Sequence, residues 1–138
     1  MKFFSLLLLS FSFVFATTFA DVINALKDEN TTEIQKIILT KEDANLALEN
    51  KKSVLMYSVW VGNIQAVETL VARGADINAQ DIDGKTALML ALYAQRTEIA
   101  IFLIQTGADL NLVSNDEQSA LSMMGAKDKK ELLDILQQ

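Results

Sequence analysis

The chain contains no cysteine, no histidine and no proline. Without cysteine there is no disulfide framework and no thiolate metal site. The loss of histidine as well removes the usual zinc and haem ligand sets and the imidazole that activates a nucleophile. Aromatic residues are sparse, at 7%, and positive charge is in deficit: 12 Lys and Arg stand against 18 Asp and Glu, a net charge of −6. An acidic chain repels nucleic acid and anionic lipid unless it carries a local basic patch. These absences weigh against an enzyme and against a DNA-binding protein. What is abundant is hydrophobic side chain, 51% of 138 residues, in a length that suits one domain.

The apolar residues are unevenly spread. Met1-Lys2 leads into an almost unbroken apolar stretch from Phe3 to Phe15, then Ala16, Thr17, Thr18, Phe19 and Ala20, before Asp21 opens a charged sequence. A positive start, an apolar centre and small residues at −3 and −1 describe a secretory signal peptide. Residues 1–20 are therefore expected to be cleaved after Ala20, leaving residues 21–138 periplasmic or secreted. The rival is an uncleaved anchor. Spanning needs about 20 apolar residues, and this run is shorter and broken by Ser5, Ser10 and Ser12. No stable membrane insertion is expected after cleavage.

The rest of the chain repeats with a shift of 33 residues. Gly74-Ala75-Asp76-Ile77-Asn78 returns as Gly107-Ala108-Asp109-Leu110-Asn111. The same shift relates Asn45, Asn78 and Asn111; Asp43, Asp76 and Asp109; Ser53, Thr86 and Ser119; Leu55, Leu88 and Leu121; and Leu70, Leu103 and Leu136. Agreement at so many independent positions is a strong sign of a repeat architecture.

One unit shows the physics. Asp81-Ile82-Asp83-Gly84 is turn chemistry, with glycine supplying positive φ. Thr86 stands where a helix starts and its hydroxyl can hold a free N–H of the first turn. The spacing predicts a short helix over Thr86–Ala94 with Leu88 and Ala91 on one face, a break at Gln95 and Arg96, and a second helix over Thr97–Gln105. Gly107 then ends the second helix as a left-handed cap. Neither helix is long enough to stand alone, so each pair must stack on a neighbouring pair, which makes an all-α solenoid.

At this point the sequence resembles the ankyrin repeat, a turn and two antiparallel helices closed by Gly-Ala-Asp-Val-Asn. The family's Thr-Pro-Leu-His stands as Ser53-Val54-Leu55-Met56, Thr86-Ala87-Leu88-Met89 and Ser119-Ala120-Leu121-Ser122. The family's inter-helix glycine is Gly62 but Gln95 and Asp128 in later units, and its turn glycine is Gly84 but Lys51 and Glu117 elsewhere. The resemblance implies an ankyrin-repeat domain over 21–138 of about four units. These are a divergent first unit at 21–44 with its second helix over Thr32–Leu39, two well-formed units at 45–77 and 78–110, and a last unit at 111–138.

Other chemistry competes poorly with the repeat. A calcium loop counted from Asp76 would need Gly at Asp81 and Glu at Ala87. Met56, Met89, Met123 and Met124 invite a Cu(I) reading, but Met56 and Met89 share one repeat position and suit packing. Lys127-Asp128-Lys129-Lys130 reads as a solvated link between the last two helices, too short for a nucleic-acid stripe. Nothing groups Ser, Lys, Asp and Glu as a catalytic set, so no catalysis, no cofactor and no metal are expected.

Trp60 and Tyr93 are also 33 apart, near the ends of the first helices. In ankyrin proteins the matching positions line a concave binding groove. Aromatics there suit partner anchoring, and they equally suit shielding of the seam between units. The turn tips complete the same surface: Glu49, Asn50 and Lys52; Ile82, Asp83 and Lys85; Asn115, Asp116 and Gln118. The candidate partner-binding set is Trp60, Tyr93, Lys52, Ile82, Asp83, Lys85, Asn115, Asp116 and Gln118. The chain is therefore expected to be a monomeric, non-catalytic, exported protein that binds another protein through its groove and tips, with the acidic surface favouring a basic partner. Small exported bacterial ankyrin proteins suggest two roles, support of a periplasmic enzyme such as one in oxidative-stress defence, or immunity to a toxin acting outside the cytoplasm.

Overall fold

The computed structural model describes residues 21–28 and 31–137, so the expected signal segment at 1–20 lies outside the described residues. Those residues form α1 (21–27), α2 (Thr31–Ile37), α3 (Lys41–Ala44), α4 (Val54–Val61), α5 (Ile64–Ala72), α6 (Ala87–Tyr93), α7 (Thr97–Gln105), α8 (Ala120–Met123) and α9 (Ala126–Leu136). No strand occurs among them. The helix pair expected at Thr86–Ala94 and Thr97–Gln105 is present as α6, flanked by Thr86 and Ala94, and α7. The helix expected over Thr32–Leu39 is α2.

Hydroxyls set the starts of the inner helices. Ser53, Thr86 and Ser119 sit in extended backbone and accept the N–H groups of Met56 at 3.1 Å, Met89 at 3.2 Å and Ser122 at 3.1 Å. Each satisfies a donor that the helix itself leaves free. The outer helices α5 and α7 end alike. Gly74, at φ +92°, donates to Val71 O at 3.0 Å while Ala75 donates to Leu70 O at 2.9 Å. Gly107, at φ +100°, donates to Ile104 O at 3.1 Å while Ala108 donates to Leu103 O at 2.9 Å. These paired bonds are a Schellman cap, which needs the left-handed backbone that glycine adopts without strain.

The helices stack in two rows. α4, α6 and α8 make the inner row, α2, α5 and α7 the outer one, and α4–α5 and α6–α7 are the antiparallel pairs. One core runs through them, with Leu55, Met56 and Val59, then Leu88, Met89 and Ala91, then Val67, Leu70, Ile99 and Leu103 all buried. Val22 and Leu26 of α1 and Ile34 of α2 extend it into the first unit.

The recurring Asn and Asp have a physical role. Asn45 Oδ1 accepts the Asp76 N–H at 2.7 Å, and Asn78 Oδ1 accepts the Asp109 N–H at 2.8 Å, each from one unit to the next. Asp76 Oδ1 and Asp109 Oδ1 then accept the N–H groups of Asn78 at 3.0 Å and Asn111 at 2.8 Å, closing the turn locally. These acids serve the turns that join the units.

Where the glycine pattern lapses, the backbone does not. Lys51, Gln95 and Glu117 take φ of +59°, +56° and +59°. Lys51 and Glu117 hold the backbone position of Gly84, and Gln95 holds that of Gly62. A side chain in the left-handed region costs about 1 kcal/mol. Gln95→Gly is therefore expected to raise stability by about 0.5–1 kcal/mol, read as a higher urea midpoint with an unchanged m-value. A lower midpoint would mean that the Gln95 side chain makes a contact outweighing the strain.

The end units depart from the regular plan. The first closes with α3 rather than with Gly-Ala-Asp: Thr40 Oγ1 accepts the Asp43 N–H at 3.1 Å and Asp43 Oδ2 accepts the Thr40 N–H at 2.9 Å, a reciprocal cap. In the last unit α8 is a single turn. Lys127-Asp128-Lys129-Lys130 is not the link between the last helices but part of the first turns of α9. The cause is local. The Gly125 N–H donates to Asp128 Oδ2 at 3.0 Å, so a carboxylate three residues on caps the chain and starts the helix there.

Candidate functional site

The turns between inner and outer rows are built to one pattern. Lys51, Gly84 and Glu117 donate N–H to the carbonyls of Leu48, Asp81 and Ser114 at 2.8, 2.9 and 2.9 Å. Leu48, Asp81 and Ser114 in turn donate to the carbonyls of Lys52, Lys85 and Gln118 at 3.0, 3.0 and 2.8 Å. Neighbouring tips are tied together: Ile82 N–H to Asn50 O and Asn115 N–H to Asp83 O, both at 2.9 Å. Equivalent residues of successive tips are thereby aligned along one edge of the molecule.

The inner helices add the aromatics. Trp60 ends α4 one residue before its last, and Tyr93 ends α6. The backbone register brings the two rings together at 6.4 Å between centroids and 14° between planes, a stacked pair. Trp60 is 50% exposed and Tyr93 72% exposed. Trp60 is half-buried against the units and Tyr93 is mostly open, so the stack presents flat apolar surface to solvent.

Ring pair and tips meet in one cleft of about 380 Å³. Its wall includes Lys52, Trp60, Asp83, Lys85, Tyr93, Asp116 and Gln118. Ile82 and Asn115 are not part of that wall. Ile82 is exposed on the tip itself. Asn115 works for the fold: its Nδ2 donates to Ile82 O at 3.1 Å, beside its own backbone bond to Asp83. Sequence reasoning missed Asp81, Met89, Leu90, Ser114 and Met123, which line the same cleft. Leu90 and Met123 share one repeat position, the inner-helix position three residues before Tyr93, and that register was the available signal.

The polar groups divide by task. Asp81 is buried and its Oδ1 accepts the N–H groups of Asp83 at 3.0 Å and Lys85 at 2.9 Å, which holds the tip in shape. Lys85 Nζ lies 3.9 Å from Asp116 Oδ2, and both side chains are solvated. An exposed pair of that kind contributes at most about 1 kcal/mol. The cleft thus offers flat π surface, solvated carboxylates and two ammonium groups.

A larger cleft, about 480 Å³, lies between α7 and α9. It opens where α9 starts early and stands off from α7. Ala100, Ile101, Ile104, Leu132 and Ile135 give it an apolar floor, and Arg96 stands at it with its guanidinium donating to Trp60 O at 3.3 Å. No helix among the described residues is long and apolar enough to cross a membrane.

Residues 61–104 match the protein family described as ankyrin repeats (many copies). No curated protein matches the chain. The matched stretch runs from the end of α4 to α7 and so holds the best-formed part of the stack. Residues 61–104 are thus ankyrin repeats by their match, and the glycine-capped closes and the two rows of antiparallel helices carry the same architecture along the described residues.

Proposed function

We propose that the protein is an exported adaptor that binds a protein partner in the cleft between the Trp60–Tyr93 stack and the turn tips. The ankyrin repeat is a protein-interaction module. One observation carries the choice of surface: the most exposed aromatic ring of the described residues, Tyr93, is stacked on Trp60 in the same cleft as the polar tip residues. Large aromatics with a polar rim are the usual anchors of an interface. The partner presents a basic patch, matching the net charge of −6. The chain itself catalyses nothing in this reading and acts by holding its partner, as in support of a periplasmic enzyme.

Export rests on residues 1–20 of the sequence. The protein recovered from its source cells is expected to begin at Asp21, read by intact mass. A mass that retains the first 20 residues would replace export with tethering. Binding is tested by cross-linking in the same cells with the native chain and the Trp60→Ala, Tyr93→Ala double variant. A protein joined to the native chain and lost from the folded variant supports this site. Equal capture by both moves the contact elsewhere.

A further inference from the structure

The aromatic stack stops after two rings. Trp60 and Tyr93 occupy one repeat position, and the equivalent residue of the last unit is Ala126. The inner helix of that unit, α8, ends at Met123. No third ring follows, and Tyr93 is left more open than Trp60. The same cleft carries Asp83 and Asp116, and Asp116 is engaged by Lys85 at 3.9 Å.

We infer that the cleft takes an arginine side chain of the partner, its guanidinium stacked on Tyr93 as the third layer and its N–H fork on the Asp116 carboxylate. This rests on the cleft being the partner site. Guanidinium is the cation that suits both features. It is planar and weakly hydrated, so it lies flat on a ring, and its fork matches a carboxylate with two parallel bonds. A lysine ammonium is a compact, strongly hydrated point charge and gains less from a flat stack. An aromatic side chain would stack but offer no positive charge to Asp83 and Asp116, and an acidic one would be repelled by them.

Lys52 and Lys85 do not reverse the sign of the site. Three carboxylates, from Asp81, Asp83 and Asp116, line the cleft against two ammonium groups. The Lys85 contact at 3.9 Å is long and solvated, so a bidentate guanidinium displaces it from Asp116.

Trp60 is the chain's single tryptophan and half of this stack, so its fluorescence reports occupancy of the cleft. The full chain is titrated with a capped Gly-Ser-Arg-Ser-Gly peptide and with its citrulline and lysine counterparts. Citrulline keeps the planar shape and loses the charge. The arginine peptide is expected to change the emission saturably, with citrulline and lysine about tenfold weaker. Tyr93→Ala keeps the reporter and is expected to weaken the arginine peptide about tenfold, while Tyr93→Phe retains it. Asp116→Asn, on a solvated tip, is expected to weaken it about fivefold and guards against a Tyr93 variant that fails to fold.

Citrulline or lysine binding as tightly as arginine would overturn the inference, and so would a signal that Asp116→Asn and Tyr93→Ala both leave intact. No saturable change with any peptide overturns it as well. The broader reading of the cleft fails by a different result, equal capture of the partner by the native chain and the Trp60→Ala, Tyr93→Ala variant.

Discussion

Leu88→Ala is expected to destabilise the protein by about 3 kcal/mol, the range of a leucine truncated in a close-packed core. Leu121→Ala, the same change at the same repeat position, is expected to cost less than about 1 kcal/mol. The difference comes from neighbours alone. Leu55 and Leu88 are each 1% exposed, whereas Leu121 is 38% exposed. Leu88 lies in α6, which has α4 on one side and α8 on the other. Leu121 lies in α8, which has α6 on one side. Urea unfolding followed by far-UV circular dichroism measures both variants. Trp60 fluorescence, from the unit before Leu88, should lose its folded signal at the same lowered midpoint, because a stack this short unfolds as one body. Equal losses for the two variants would mean that a helix pair holds its own leucine and that stacking contributes little.

The periodicity was legible because each repeated residue performs the same backbone task in every unit. Ser53, Thr86 and Ser119 cap the inner helices, Gly74 and Gly107 turn the chain left-handed after the outer ones, and Asn45 and Asn78 reach the next unit. Local chemistry of this kind is written in residue type. Lys51, Gln95 and Glu117 were harder, since nothing in their chemistry asks for positive φ; the cooperative stack imposes the conformation and carries the strain. The start of α9 was misread for a different reason. Lys127–Lys130 looks like a solvated connector by charge, but Gly125 and Asp128 stand at capping distance, and the cap decides where the helix begins. The cleft was legible in part. Residue type marked Trp60 and Tyr93, the tips marked their own polar residues, and the repeat register could have marked Leu90 and Met123, but only the fold shows that Asn115 is engaged in joining two turns.

Replacing Trp60 and Tyr93 together by alanine is expected to weaken the partner complex by more than about 2 kcal/mol, some thirtyfold in affinity, while the repeats remain folded. The ring centroids lie 6.4 Å apart, Tyr93 is mostly open to solvent and Trp60 half-buried, so their removal takes away one stacked contact and part of the area under Trp60. A stacked pair contributes about 0.5–1.5 kcal/mol beyond its area burial, and the buried half of Trp60 adds an area term to the loss of fold stability. The competing role, a cover for the seam between units, makes the opposite pair of expectations. A seam cover would cost stability comparable to a core truncation and leave the affinity of the folded fraction unchanged. Isothermal titration with the captured partner and urea unfolding of the same preparation separate the two. If affinity holds and the midpoint collapses, the rings belong to the fold, and the docking surface lies elsewhere on the solenoid. If affinity falls and the midpoint barely moves, the aromatic stack is the anchor, because the fold then has no other use for two large rings held in the open.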